Sequence, residues 1–215
     1  MPKSLFVDPI ETRAPGKITF EDIPVNAYKK TIKEERKRYS DDALIRIYRD
    51  ITILREFESM LNQIKTQGVY NGIETTYPGP AHLSIGQEAA CVGQAYLLDQ
   101  NDFTFGSHRS HSEILAKALS CIDKLSEQEL MTIMEGFLDG SALRATEKLG
   151  PVKDAKELAI RFILYGTLSE IFARETGFHK GMGGSMHAFF LPFGIYPNNA
   201  IVGGSAAIAT GAALF

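Results

Sequence analysis

Cysteine is scarce, with two in 215 residues. Cys91 and Cys121 fall in apolar helical patterns and show neither C-x-x-C nor zinc-ligand spacing, so a disulfide framework is excluded and small buried thiols in a reducing compartment are expected. A surplus of positive charge is missing too: the formal net charge is −3. No dense Lys/Arg tract appears outside Lys29 to Arg38, which removes any general attraction to nucleic acid or an anionic membrane. No uninterrupted apolar run is long enough to span a bilayer, and Met1 to Asp8 lacks the apolar stretch of a secretory leader, so a cytoplasmic location is expected. There is no internal repeat and no low-complexity tract. Gly181-Met182-Gly183-Gly184 fits neither G-x-G-x-x-G nor a P-loop with its lysine, which disfavours a nucleotide-binding protein.

What is present falls into an arm and a body. Residues 1–39 mix Pro2, Pro9, Pro15 and Pro24 with charged clusters, and read as an irregular N-terminal arm. Ser40 is an N-cap ahead of Asp41 and Asp42, after which Leu44, Ile47, Ile51, Leu54, Phe57, Leu61 and Ile64 recur every three or four residues, predicting a helix that ends near Gly68. Val69 to Pro80 carries Asn71-Gly72, Pro78 and Pro80, all loop signals, and delivers His82 to the mouth of a helix expected over 86–98. Asp102 to Phe105 alternates like a short strand, and a helix restarts at Ile114. Ser126 and Glu129 are spaced as a capping box for a polar helical piece, and Leu158, Phe162, Tyr165, Leu168 and Phe172 predict a long helix stopped at Gly177. The last fifteen residues read as a turn and a small-residue helix packed on a sheet.

Three polar segments stand out against this frame. The run Gly181-Met182-Gly183-Gly184-Ser185-Met186-His187 joins three glycines to a hydroxyl and an imidazole, a composition that lets backbone come close to a bound group. His82 to Ala89 places an imidazole just before a helix start. In Gly106-Ser107-His108-Arg109-Ser110-His111, a guanidinium fork sits between imidazoles, a donor set suited to a diphosphate or carboxylate. Each segment alone has an ordinary explanation: a helix cap for Arg109, a core histidine for His82, a plain connection for the glycines. Glu88 likewise reads as a first-turn acid favoured by the helix dipole.

Together the segments resemble the α subunit of the thiamine-diphosphate-dependent 2-oxo acid dehydrogenase complexes, the dehydrogenase E1 component family that includes pyruvate and acetoin dehydrogenases. The resemblance rests on Tyr48-Arg49-Asp50-Ile51 through Glu58, His82 to Ala89, Gly106 to His111, Thr176 to His187 and Ile201-Val202-Gly203-Gly204, in family order. It implies an α/β thiamine-diphosphate-binding fold with a mainly parallel central sheet, helices on both faces, and truncation at the C-terminus. Residues 40–215 would then be an incomplete cofactor domain with an inserted helical segment at about 120–161. The implied activity is oxidative decarboxylation of a 2-oxo acid, with the acyl group passed to a lipoyl acyltransferase. The implied cofactors are thiamine diphosphate and Mg²⁺, and the implied partners are a β subunit or fused β region in a heterotetramer. An oligomer is expected.

Residue by residue, the resemblance implies that Arg109 holds the cofactor diphosphate, with His108 beside it where pyruvate dehydrogenases usually carry a tyrosine. The His-Arg-x-His form looks more like acetoin dehydrogenases. His82 would line the active-site channel, and His82 and His111 are the candidate catalytic residues. Ala200 and Val202 would set backbone groups against the aminopyrimidine ring, and Ser185 and His187 would order their loop. The glutamate that activates the cofactor lies on the β region in this family, so Glu88 is given no such role. The family's G-D-G and Asn metal ligands have no match up to Phe215 and are expected beyond it, so no metal ligand is assigned. On that basis this chain is expected to be the N-terminal portion of a longer polypeptide, binding the cofactor weakly or inactive by itself. A noncatalytic α-like assembly module is the alternative.

Overall fold

The computed structural model describes residues 8–17, 19, 21, 22, 25, 27–77 and 79–215; Pro2, Pro24, Pro78 and the segment 1–7 lie outside them. Contacts divide the chain into two compact units, Met1–Tyr39 and Ser40–Phe215. The first unit holds two four-residue helices, α1 (Pro9–Thr12) and α2 (Ile32–Glu35). Asp8 caps α1 by accepting from Ile10 N at 2.7 Å, and Thr31 with Glu34 closes a capping box on α2.

In the second unit the sequence dictates the first helix closely. Ser40 Oγ accepts from Ala43 N, α3 runs Asp41–Gln67, and Gly68 ends it in the left-handed region at φ 70°. Asn71 and Gly72 both have positive φ and turn the chain between β1 (Val69–Tyr70) and β2 (Ile73–Glu74), which pair antiparallel. Positive φ at both central residues is what a tight hairpin needs. The helix expected over 86–98 is shorter: α4 spans Glu88–Ala95. The reason is local, because the Glu88 carboxylate folds back to accept from Gly86 N at 2.9 Å, and Gly86 at φ 95° cannot join the helix.

The rest of the unit is largely helical. β3 (Thr104–Phe105) leads into α5 (His111–Lys124), followed by α6 (Glu127–Gly136), α7 (Ser141–Glu147) and α8 (Ala155–Ile171). The Ser126–Glu129 capping box forms as expected. After α8 come a loop with two short 3₁₀ turns, β4 (Ile195–Tyr196), and α9 (Gly204–Leu214), none of whose residues is buried. β3 and β4 pair in parallel, Thr104 with Ile195 and Phe105 with Tyr196. The fold is thus mixed helix and small sheet; among the described residues the parallel sheet consists of this one pair.

α5 is the centre of the core. Its Leu115, Ala118 and Cys121 are fully buried, with Leu54 and Leu61 of α3 and Phe162 of α8 in the same cluster. Phe162, Phe178 and Phe190 pack tilted and edge to face with centroid separations of 5.8, 4.8 and 5.9 Å, fastening the loop after α8 onto that helix. One cation is sealed inside as well. Lys117 is 1% exposed, and its ammonium donates to Asp99 O and to Phe193 O. A buried charge is tolerable when its donors are taken up by carbonyl dipoles in this way. No helix among the described residues is long and apolar enough to cross a membrane.

Candidate functional site

The β3–β4 pair decides where the polar segments meet. It sets the loop after β3, residues 106–110, beside the segment after β4, and the two are then stitched together. Gly106 O accepts from Asn199 N at 3.3 Å and from Ser205 Oγ at 2.6 Å, while Asn198 Nδ2 donates to Ser110 Oγ. Glu113, in the first turn of α5, accepts from Ser107 N at 3.0 Å and from Ser107 Oγ. The loop carrying His108 and Arg109 is therefore held at both ends.

Arg109 reaches the other segment directly, its Nη1 donating to Leu83 O at 2.5 Å. The His82 and His108 rings meet edge to face with centroids 5.2 Å apart. All three side chains are half-buried. Among the described residues no carboxylate lies within 4.0 Å of Arg109, His82 or His108, whereas Arg49, Arg55 and Arg161 each have one and Arg46 has two. Desolvation holds the His82 imidazole below its ordinary pKa, and His108, Arg109 and Lys65 add to the effect because each disfavours another positive charge. His108 Nδ1 and Asn198 Oδ1 are buried without a hydrogen-bond partner. Buried polar atoms are normally paired, so these two, on segments joined through Ser110, stand out.

The remaining predicted residues sit differently. Ala200 is half-buried and Val202 is 77% exposed; their segment is tied to the arginine loop through Asn198 and Asn199 rather than through them. His187 is exposed, and its Nδ1 donates to Asn198 O at 3.1 Å. His111 is fully buried, with Nδ1 3.0 Å from Glu58 Oε1 and Nε2 2.8 Å from Ser185 Oγ. Carboxylate, imidazole and hydroxyl thus stand in the order of a hydrolase triad. Glu58 and His111 are 0% exposed and Ser185 is 7% exposed, so the array is closed to solvent and braces α3, α5 and the glycine loop.

The glycine loop also has an occupant of its own. Fully buried Glu170 accepts from His179 N at 2.7 Å, Gly181 N at 3.0 Å and Gly183 N at 2.5 Å. A Cβ at Gly183 would lie 2.5 Å from His187 O, and one at Gly181, which has φ 76°, would lie 2.4 Å from the Ala173 carbonyl carbon. The close approach that these glycines allow is to the protein's own backbone at Ala173 and His187, and it brings their amides onto the Glu170 carboxylate. Glu58 and Glu170 were not read from the sequence. The available signal was position: Glu58 falls among Leu54, Phe57 and Leu61 on the apolar row of α3, where a solvated acid has no place.

A cleft of about 530 Å³ lies between α4, α5, the strands and α9, lined by Cys91, Phe103, Phe105, Ile114, Ile195 and Ala206. It shares Gly106 and Ser107 with the arginine loop but includes none of His82, His108 or Arg109. Burial pushes the Cys91 thiol in its wall up to about 11, so that sulfur is an inert thiol. No group of three or more His, Cys, Asp or Glu suited to a metal ion occurs among the described residues.

The geometry gathers Arg109, His82 and His108 into one cluster on a helical core. Residues 48–147 match the family described as the dehydrogenase E1 component. Over 185 residues the chain is 28% identical to the α subunit of acetoin:2,6-dichlorophenolindophenol oxidoreductase from Bacillus subtilis, covering 86% of this chain and 40% of that one. It is 28% identical over 182 residues to the pyruvate dehydrogenase E1 component subunit α of Rickettsia prowazekii, and 25% identical over 175 to that of Rhizobium meliloti. Those alignments cover 85% and 81% of this chain, and 40% and 36% of the relatives. No solved structure matches it. The chain is similar to α subunits of the dehydrogenase E1 component family, and spans less than half the length of the curated relatives it matches.

Proposed function

We propose that this chain is the α-type, diphosphate-holding portion of a thiamine-diphosphate-dependent dehydrogenase acting on a 2-oxo acid. The observation that carries the reading is the cluster of Arg109, His82 and His108, cationic in character, lacking a carboxylate partner among the described residues and flanked by the orphaned His108 Nδ1. That donor set fits a diphosphate. Arg109 offers a planar fork for two phosphate oxygens while its bond to Leu83 O fixes its reach. His108 brings a ring nitrogen that no protein group satisfies. His82, whose imidazole desolvation holds below its ordinary pKa, lies at the rim and can donate to or accept from whatever is bound.

When bound, thiamine diphosphate supplies the electron sink on which a 2-oxo acid loses CO₂. The chain's own part is to bind and orient. Arg109 and His108 grip the phosphate end, His82 faces the open side, and His111 acts from behind as a positioning residue. Ala200 and Val202 stay as proposed backbone contacts to the pyrimidine, on a segment secured by Asn198. A β subunit would complete the site, a separate lipoyl acyltransferase would accept the acyl group, and Mg²⁺ would offset the diphosphate charge, in a cytoplasmic heterotetramer. Acetoin stays as an alternative substrate: the His-Arg-x-His form resembles acetoin dehydrogenases, and the Bacillus subtilis relative is named for acetoin.

The test is an NMR titration with thiamine diphosphate that follows the His82 and His108 rings. Both sets of ring signals should move together, and Arg109→Gln should abolish the movement without altering the fold. Ring signals that stay still at saturating ligand, or movement that survives Arg109→Gln, would refute the assignment.

A further inference from the structure

Behind the cationic cluster, the two segments that supply it are locked to each other by one side chain. Glu58, 0% exposed on α3, accepts through Oε2 from Ser84 N at 3.0 Å. Its Oε1 takes Ser84 Oγ at 3.1 Å and His111 Nδ1 at 3.0 Å. Ser84 stands two residues after His82, and His111 stands two residues after Arg109. Ser84 Oγ also meets Ser112 Oγ at 3.0 Å and accepts from Ser112 N at 3.2 Å, closing the ring between the two segments. From the far side of His111, Nε2 meets Ser185 Oγ at 2.8 Å, which brings in the glycine loop.

We propose that Glu58 is a positioning residue for anion binding: its three hydrogen bonds set the register between the His82 segment and the His108–Arg109 loop, so that their side chains converge on one ligand. The inference rests on the diphosphate-site reading above. Its content is a matter of sign. Glu58 is a buried negative group behind a cationic site, so if it acted through charge alone, neutralising it would tighten the hold on an anion. If it acts through geometry, neutralising it loosens that hold even though the field improves. Glu58→Gln separates the two, because glutamine keeps the shape but offers one acceptor oxygen where the carboxylate offers two. With that oxygen facing Ser84 N, the amide nitrogen faces His111 Nδ1 as a donor, and His111 must move its proton to Nε2.

The experiment is an NMR titration of the full chain with inorganic pyrophosphate, with ¹⁵N-labelled histidine reporting the tautomer of His111. In the wild type, His111 carries its proton on Nδ1, and pyrophosphate shifts the His82 and His108 rings. In Glu58→Gln the proton resides on Nε2, circular dichroism is unchanged, and affinity falls about tenfold or more, the scale on which losing a supporting hydrogen-bond layer weakens ligand holding. Affinity that is unchanged or improved in folded Glu58→Gln overturns the proposal while leaving the site reading intact. Where that variant does not fold, Ser84→Ala cuts one spoke and leaves the carboxylate in place; it should weaken pyrophosphate binding, and an unaltered affinity overturns the proposal equally. A wild-type chain whose His82 and His108 rings ignore pyrophosphate removes the site, and this inference with it.

Discussion

Replacing Glu170 tests whether the glycine loop is templated from inside. In Glu170→Ala, three backbone donors, His179 N, Gly181 N and Gly183 N, lose their acceptor. An unsatisfied buried donor costs about 1–3 kcal/mol, so three would cost roughly 3–9 kcal/mol if the loop stayed in place. That is a large share of the roughly 5–15 kcal/mol that holds a domain together. The loop has a cheaper response, since Met182 is 90% exposed and its neighbours can open to water. Phe178 and Phe190, 2% and 0% exposed, keep the flanks anchored in the aromatic cluster. Local opening therefore wins over global unfolding, and the global loss should stop at about 2–4 kcal/mol. Glu170→Gln retains one acceptor for His179 N and Gly181 N but opposes Gly183 N with an amide, and should cost about 1–3 kcal/mol. Urea denaturation gives the global number, and hydrogen exchange of peptides spanning 177–187 gives the local one, with the helix 111–124 as internal reference. Stability of Glu170→Gln within about 0.5 kcal/mol of the wild type, the range of ordinary surface changes, together with unaltered loop exchange would refute the template.

Two further outcomes follow from the same packing. The Arg55 guanidinium beside Glu88 pushes its carboxyl from 4.5 down to about 2, so that pair's contribution is fully present above about pH 4.5 and disappears as pH falls toward about 2. In Arg55→Gln that contribution is absent, so wild-type and variant urea-midpoint profiles should stand apart above about pH 4.5 and converge as pH falls toward about 2; profiles that run parallel would contradict this. Gly166→Ala pits about 1 kcal/mol of helix propensity against a Cβ only 2.1 Å from the Phe178 ring, and overpacking at about 1–3 kcal/mol should win, giving a less stable protein by thermal melting.

Legibility in the sequence followed the length scale of each interaction. The first long helix was readable because cap, apolar row and terminator all lie within one stretch, Ser40 to Gly68. The strands at 69–70, 73–74 and 195–196 have two residues each, too few to show a period, and only the Asn71-Gly72 turn hints at the hairpin. The last turn of α8 was read too long, to Gly177, whereas the helix ends at Ile171. There Glu170 has gathered the amides of residues 179–183, and Ala173 at φ 54° turns the chain back toward them. The cluster of His82, His108 and Arg109 was legible only as a resemblance, since nothing in the spacing of residues 82 and 108 foretells rings 5.2 Å apart. What brings them together is a parallel pair and a carboxylate, both made by residues distant in sequence.

The two hidden acids solve one problem in the same way. A loop rich in glycine and short polar side chains has backbone donors to satisfy and little apolar surface to hold it. Water would satisfy the donors and leave the loop mobile. A carboxylate fixed on a helix satisfies several donors from known directions, and its bonds are charge-assisted, so one side chain orders a segment that could not order itself. Glu170 does this for residues 179–183, and Glu58 does it for the turn at Ser84 and the start of α5. Because His111 joins Glu58 to Ser185, and the Glu170 loop runs into Ser185, the two templates are mechanically in series. A disturbance at Glu170 should therefore reach the His111 ring before it reaches His82, and the ¹⁵N spectrum of His111 in Glu170→Gln shows whether it does.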